Sequence, residues 1–220
     1  MGKYSNGVET KKRILDICRT FFYEKGYDNT TFKDISTALD INQSAIHYHF
    51  GTKENIMSLI YEDTIRKNNE LVEFYSDRST SELAKMFFDI EIYMYKIWND
   101  DNYRRFYINA TAGWDTGEFM GGSKFANSPY MEDEAGIDDI EKSGKEIFER
   151  IALAGFDQAV LRFINNNIEK LNYRKTFKAN IWMYKKILNI PDDEYEKAMS
   201  DLKVLEDRCK WDELDTTLSE

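Results

Sequence analysis

Apolar positions recur along most of this chain at the three- and four-residue spacing of a single helix face. Ile14, Leu15, Cys18, Phe21 and Phe22 mark a first helix from Val8 to Lys25, and Gly26 supplies its stop. Thr30 or Thr31 caps a short second helix through Leu39, with Phe32, Ile35, Ala38 and Leu39 on one face. Asp40, Ile41 and Asn42 form a turn into a third short helix, Gln43 to His49, which presents Ile46 inward and ends near Phe50-Gly51. Thr52 then caps a long fourth helix, with Asn55 three residues on, running through Ile56, Leu59, Ile60 and Ile65 toward Tyr75.

Beyond a break at 76–81, Leu83, Phe87, Ile90, Met94 and Ile97 follow at spacings of four, three, four and three. That pattern predicts an amphipathic helix ending near Trp98, followed by a short helix from Tyr103 to Thr111. Gly113, Gly117, Gly121, Gly122, Ser128 and Pro129 then predict a long irregular segment, which grades into the acidic run Glu132-Asp133-Glu134 and Asp138-Asp139. Helical periodicity returns over Ile140 to Asn172, with Gly155 as a candidate interruption, and over Arg174 to Asn189. A last helix follows Pro191, with Tyr195, Met199, Leu202 and Leu205 on one stripe, and the final ten residues are expected to fray. The fold class is all-α. A three-helix helix-turn-helix domain occupies residues 1–51, and a larger helical domain occupies residues 52–220.

Composition fits that class. Of 220 residues 42% are hydrophobic and 15% aromatic, so much of the core is aromatic, and Pro129 and Pro191 are the only helix breakers of their kind. No run approaches the roughly 18–20 apolar residues of a membrane span, and Met1 to Glu9 holds no signal-peptide segment. Cys18 and Cys209 have no metal-ligand spacing, and Cys18 lies on an apolar face as a small core residue. The expectation is a cytoplasmic, reduced protein with no metal, cofactor or membrane partner.

The net charge of −10 argues against a general nucleic-acid coating protein. Its distribution changes the picture: residues 1–53 carry eight Lys/Arg against six Asp/Glu, which leaves −12 on the rest. A small cationic head on an acidic body fits a protein that touches DNA at one end only.

Two short helices joined by a tight turn hold one helix out from a body, where it can enter a major groove. Ile35, Leu39, Ile41, Ile46 and Phe50 lock that angle, while Asn42, Gln43, Ser44, His47 and Tyr48 expose polar tips suited to base edges or phosphates. The elements Ile14-Leu15-Asp16, Phe21-Phe22, Lys25-Gly26-Tyr27, Thr30-Thr31, Asp34-Ile35, Ile41, Ser44, Ile46, Tyr48-His49-Phe50 and Lys53-Glu54 fall in one register. Together they resemble the N-terminal signature of the tetracycline-repressor (TetR) family of transcription regulators. The departures are Ile17 and Cys18, where that family often has alanines, and Leu39-Asp40-Ile41, where it often has a small residue and then Gly-Val. Asp40 sets a negative charge near the turn.

The resemblance implies base contacts from Gln43, Ser44, Ala45 and His47, a phosphate contact from Tyr48, and a backbone contact from Lys53. It places His49 in internal packing, and Thr30 and Thr31 at a helix N-terminus whose free N–H groups suit a phosphate. It further implies a homodimer in which two C-terminal helices per subunit form a four-helix bundle, and a near-palindromic double-stranded operator. A small molecule entering the body would shift the fourth helix and release the DNA. Repression is the family's commoner action.

The body itself matches the family in layout alone. Trp98, Tyr107, Asn109, Trp114 and Phe148 are candidates to line a ligand cavity between helices, although aromatics at helical spacing also serve as plain core. The loop 117–124 only loosely resembles a phosphate-binding loop, since its lysine is displaced by one and no strand precedes it. Asp192-Asp193 suits a helix start, where carboxylates complement the macrodipole. His47 and His49 diverge by about 200° on a helix, which disfavours a shared metal. No catalytic constellation emerges, so an enzyme is not expected. The alternative function is a small-molecule or protein-binding helical module whose head no longer binds DNA.

Overall fold

The computed structural model describes residues 2–112 and 140–218, and all regular structure among them is helical. The expected irregular segment, with the loop 117–124, Trp114 and Asp138-Asp139, lies outside the described residues.

The head consists of α1 (Gly2–Glu24), α2 (Phe32–Leu39) and α3 (Gln43–Phe50). Ile14, Cys18 and Phe22 stand four apart on α1 and are fully buried against Ile35 of α2 and Ile46 of α3. Gly26 ends α1 at φ 92°, a backbone that favours glycine, and a Cβ there would lie 3.1 Å from Nε of Arg105, whose side chain would have to give way. Thr31 caps α2 in a full capping box: its hydroxyl accepts from the Asp34 amide, and the Asp34 carboxylate accepts from the Thr31 amide at 2.8 Å. Asp40 closes α2 in the left-handed region, φ 52°. The glycine common at this place in the TetR signature has the same backbone to satisfy.

The body begins with α4 (Lys53–Tyr75), which packs on α1 and α3 at one side and on α5 (Glu82–Asn99) and α6 (Asp101–Ala112) at the other. It continues with α7 (Ile140–Asn167), a 3-10 turn at Ile168–Lys170, α8 (Tyr173–Ile187) and α9 (Asp192–Arg208). The predicted stripe of α5 is buried in full. Ala84, Phe88, Asp89, Glu91, Ile92 and Lys96 are buried too, because α4, α6, α8 and α9 surround this helix. An expected amphipathic helix is in fact the central rod of the body.

Several boundaries differ from those expected, for identifiable reasons. Helix α1 starts at Gly2, since the polar run before Val8 interrupts the stripe without breaking the helix. Helix α7 passes unbroken through Gly155, where buried Leu153, Ala154 and Leu161 anchor both sides. The final residues do not fray as a whole. Trp211 packs on Phe88 and Tyr95, Thr216 donates to Asp100 at 2.7 Å, and Leu218 is only 4% exposed beside α1. Their apolar side chains are spaced irregularly, so no helical stripe betrays the contact. Asp192, Asp193 and Glu194 occupy the first turn of α9, as the macrodipole reading expects.

Candidate nucleic-acid interface and body cavity

Helix α3 divides cleanly. Ile46 and Phe50 face the head core, while Asn42, Gln43, Ser44, His47 and Tyr48 are exposed on the opposite side. Tyr48 is 86% exposed, and among the described residues no hydrogen bond engages its hydroxyl or the Gln43 amide. Asn42 accepts from the Ser44 amide and caps the helix, so its side chain sets the geometry of the face. Ala45 is half-buried. One His47 ring nitrogen lies 2.9 Å from the Gly51 carbonyl, and its ring stands edge-on to Phe32, which orients the exposed imidazole. His49 is half-buried and packs on Tyr48 and Phe50. Lys11 lies over the Phe50 ring, placing a cation of α1 beside the same face.

The side chains at three of the expected backbone contacts have partners within the fold. Thr30 is fully buried and donates to the Gly26 carbonyl at 2.9 Å, so its hydroxyl is not presented to a phosphate. Thr31 is exposed, but its hydroxyl is held by Asp34, whose carboxylate already occupies that helix N-terminus. Lys53 donates to the Tyr27 and Thr30 carbonyls at 2.8 and 3.0 Å and lies over the Tyr27 ring. Its ammonium staples the α1–α2 connection to the start of α4. Tyr27 in turn donates to Glu54, and this bond helps hold the Glu54 carboxyl below its usual range, after the Glu54 backbone amide.

A family model described as bacterial regulatory proteins, tetR family, matches residues 14–60, which span α1 through the first turns of α4. Residues 14–60 are thus similar to the N-terminal region of TetR-family regulators. The chain is 23% identical over 177 residues to IcaR of Staphylococcus aureus (strain Newman), the HTH-type negative transcriptional regulator of the biofilm operon icaADBC. That match covers 77% of this chain and 88% of the relative. It is 46% identical over 46 residues to the IcaR of Staphylococcus epidermidis, 21% of this chain and 25% of the relative. A TetR-family regulator from Streptomyces coelicolor A3 shares 18% identity at a TM-score of 0.47, over 83% of this chain and 96% of that one.

The body holds a narrow cavity of about 50 Å³ between α4, α5, α6, α7 and α8. Tyr107 lines it as expected, stacked on Tyr93 at 5.6 Å and 3° between planes. Trp98 follows the lining residue Ile97 on α5, is turned about 100° away, and packs on Tyr173. Asn109, two positions past Tyr107, is likewise rotated off the cavity. Trp114 and the Phe148 side chain lie outside the described residues. The sequence reading missed Tyr61, Asp89, Tyr93, Asp157 and Asn180, all of which line the cavity. A signal was present: Asp89, Asp157 and Asn180 each interrupt an apolar helical stripe at a core position. Burial, then the Asp157 and Asp89 carboxylates, holds the Tyr93 hydroxyl well above the usual phenol range. Tyr184 donates to both Asp157 oxygens at 2.6 and 2.7 Å.

Cys18 behaves as the core residue expected, with burial pushing its thiol up to about 12. No group of three or more potential metal ligands occurs among the described residues, and no described helix is long and apolar enough to cross a membrane.

Proposed function

We propose that this chain is a ligand-responsive repressor that binds a near-palindromic operator as a homodimer. The observation that carries the reading is α3: a short helix locked by Ile46 and Phe50, presenting Gln43, Ser44, His47 and Tyr48 with little internal use for them. Its N-terminal residues, Gln43 and Ser44 above all, read base edges, while Tyr48 and the third N–H of Lys53 serve the phosphates. The Thr31 amide end contributes less, since Asp34 already lies there. Residues 1–51 form the DNA-binding unit and residues 52–220 the effector-binding and dimerising unit. It acts as a regulator and not as an enzyme.

Dimerisation is supported by α7 and α8. Phe163 of α7 is 54% exposed and Trp182 of α8 is 50% exposed, large apolar surface without cover in one copy. Helix α9 is spent on α5, so α7 and α8 are the pair for a four-helix bundle with a second copy. A two-fold dimer sets its recognition helices about 34–36 Å apart, or a multiple of that.

Ligand response is supported by the joint between the units. Tyr107 and Thr111 of α6 line the cavity, and Arg105 of the same helix donates to the Tyr23 and Glu24 carbonyls at the end of α1 at 2.5 and 3.0 Å. Arg19 of α1 pairs with Asp63 of α4 at 2.8 Å. A ligand that repositions α4 or α6 thus moves the head through short, rigid contacts. Fluorescence anisotropy with DNA flanking the gene tests the reading. Tight, strongly salt-dependent binding to a palindrome is expected, and equal, weak binding to every fragment would refute it.

A further inference from the structure

Building on the reading of the chain as a dimeric operator binder, we infer that residues 210–218 form a strap that latches the head to the body and so holds the two recognition helices at one spacing.

The first half of the strap is seated on the body. Trp211 packs its ring on Phe88 and Tyr95 of α5 and donates from Nε1 to the Glu206 carbonyl at 3.1 Å, and Leu214 rests on the same core. The second half reaches the head. Thr216 donates to Oδ2 of Asp100 at 2.7 Å, and Tyr23, in the last turn of α1, donates to the same oxygen at 2.5 Å. The other oxygen of Asp100 accepts from the Asn102 and Tyr103 amides at the start of α6, both at 2.9 Å. One carboxylate thus joins head, body and strap. A second junction lies one turn back along α1. There Arg19 donates to the Leu218 carbonyl at 3.5 Å and pairs with Asp63 of α4 at 2.8 Å, while the Leu218 side chain is buried.

The strap is thinly packed. Asp212, Glu213, Asp215 and Thr217 are exposed, and open clefts flank it on both sides. One, of about 350 Å³, lies against α1 beside Thr20, Tyr23 and Leu218. The other, of about 490 Å³, lies against α4 beside Leu71, Phe74 and Leu218. A segment with few apolar contacts opens locally, at less than the cost of global unfolding. Leu218 can therefore lift while Trp211 stays seated. With the strap down, α1 is tied to α4 and α6 and the head keeps one angle to the body. With it up, Tyr23 and Arg19 each lose a link, and the head gains freedom that operator binding must remove again.

The test compares the full-length protein with Leu218→Asp, which puts a charge at the buried anchor, and Thr216→Val, which removes only the hydroxyl. Hydrogen exchange reads the latch without DNA. Amides in the second half of α1 and in the 25–31 connection should exchange roughly tenfold or more faster in Leu218→Asp, and by a smaller factor in Thr216→Val, with α5 unchanged. Anisotropy reads the consequence on operators whose half-sites lie at three successive spacings, one base pair apart. The parent should prefer one spacing by about tenfold or more, and Leu218→Asp should cut that ratio by at least about threefold. A mere loss of folded protein weakens binding at every spacing alike and leaves the ratio intact. If Leu218→Asp does not fold, Thr216→Val gives both readings. Unchanged exchange in α1, or an unchanged spacing ratio, overturns the inference. A parent that binds no palindrome refutes the operator reading instead, and the latch then stands or falls on hydrogen exchange.

Discussion

In the head, Gln43, Ser44 and Tyr48 hold their polar ends in solvent from a helix whose other face is Ile46 and Phe50. In the body, Asp89, Glu91, Lys96 and Asn180 hold theirs inside, around the central helix α5. The head keeps its polar side chains for a partner that arrives from outside, and its core is almost wholly apolar. The body spends polar groups internally, in pairs such as Lys96–Asn68 and Glu91–Arg174 at 2.6 Å, and leaves a few around a cavity. Exposed polar residues on a rigid helix point to recognition of a large surface, and buried ones around a void point to a small molecule.

The contrast can be sharpened by paired core truncations. Phe87→Ala in α5 should cost about 3–5 kcal/mol and Ile46→Ala in α3 about 2–5 kcal/mol, read by urea denaturation. The two should differ in kind: Ile46→Ala should abolish DNA binding while the body keeps its cooperative unfolding transition, whereas Phe87→Ala should weaken both. Loss of both in Ile46→Ala would mean that head and body are one cooperative unit.

A smaller effect separates the regions by charge. Lys53→Met removes two hydrogen bonds from an ammonium to the Tyr27 and Thr30 carbonyls, and should cost about 1–3 kcal/mol. Unchanged stability would place that ammonium in solvent, free for DNA.

The buried carboxyl of the body predicts a loss of stability between neutral and mildly alkaline pH. Burial, then the Glu206 carboxylate, pushes Glu91 up from 4.5 to about 9, against the opposing pull of Arg174. Folded Glu91 holds its proton more tightly than the unfolded residue. Its contribution is therefore complete below pH 4.5 and is lost as pH rises through about 9. The thermal midpoint should fall on going from about pH 6 to about pH 9, and Glu91→Gln should flatten that fall. An identical slope in the variant would assign it to other groups.

The smallest expected change is a gain. Gly155 sits in the middle of α7 with nothing within 4 Å of the place an alanine methyl would take, so Gly155→Ala should stabilise by roughly 0.5–1 kcal/mol. A loss of stability there would mean that the glycine face is covered by a second copy.

The head is legible residue by residue because its signals are local. Caps at Thr31, Asn42 and Thr52, the stop at Gly26 and the stripe of α1 each lie within a few positions of what they control. What escapes is side-chain partnership across the chain: Thr30 turned inward, and Lys53 reaching back 26 and 23 residues to its carbonyls. In the body the helices themselves are readable, but the cavity is not. Its walls come from five helices, and spacing within one helix cannot report which faces meet. Trp98 and Asn109, expected there, face elsewhere, while Asp89, Asp157 and Asn180 line it and each is a polar residue on an apolar stripe. Polar interruptions of a core stripe are the more informative sign.

The central claim is that α3 reads base sequence, and Gln43→Ala tests it most directly. Anisotropy against a panel of operator variants, each changed at one base pair, should show discrimination lost at one position per half-site. That loss is worth about 1–3 kcal/mol, with the salt dependence and the thermal midpoint left as in the parent protein. Unaltered discrimination at every base pair would contradict the account.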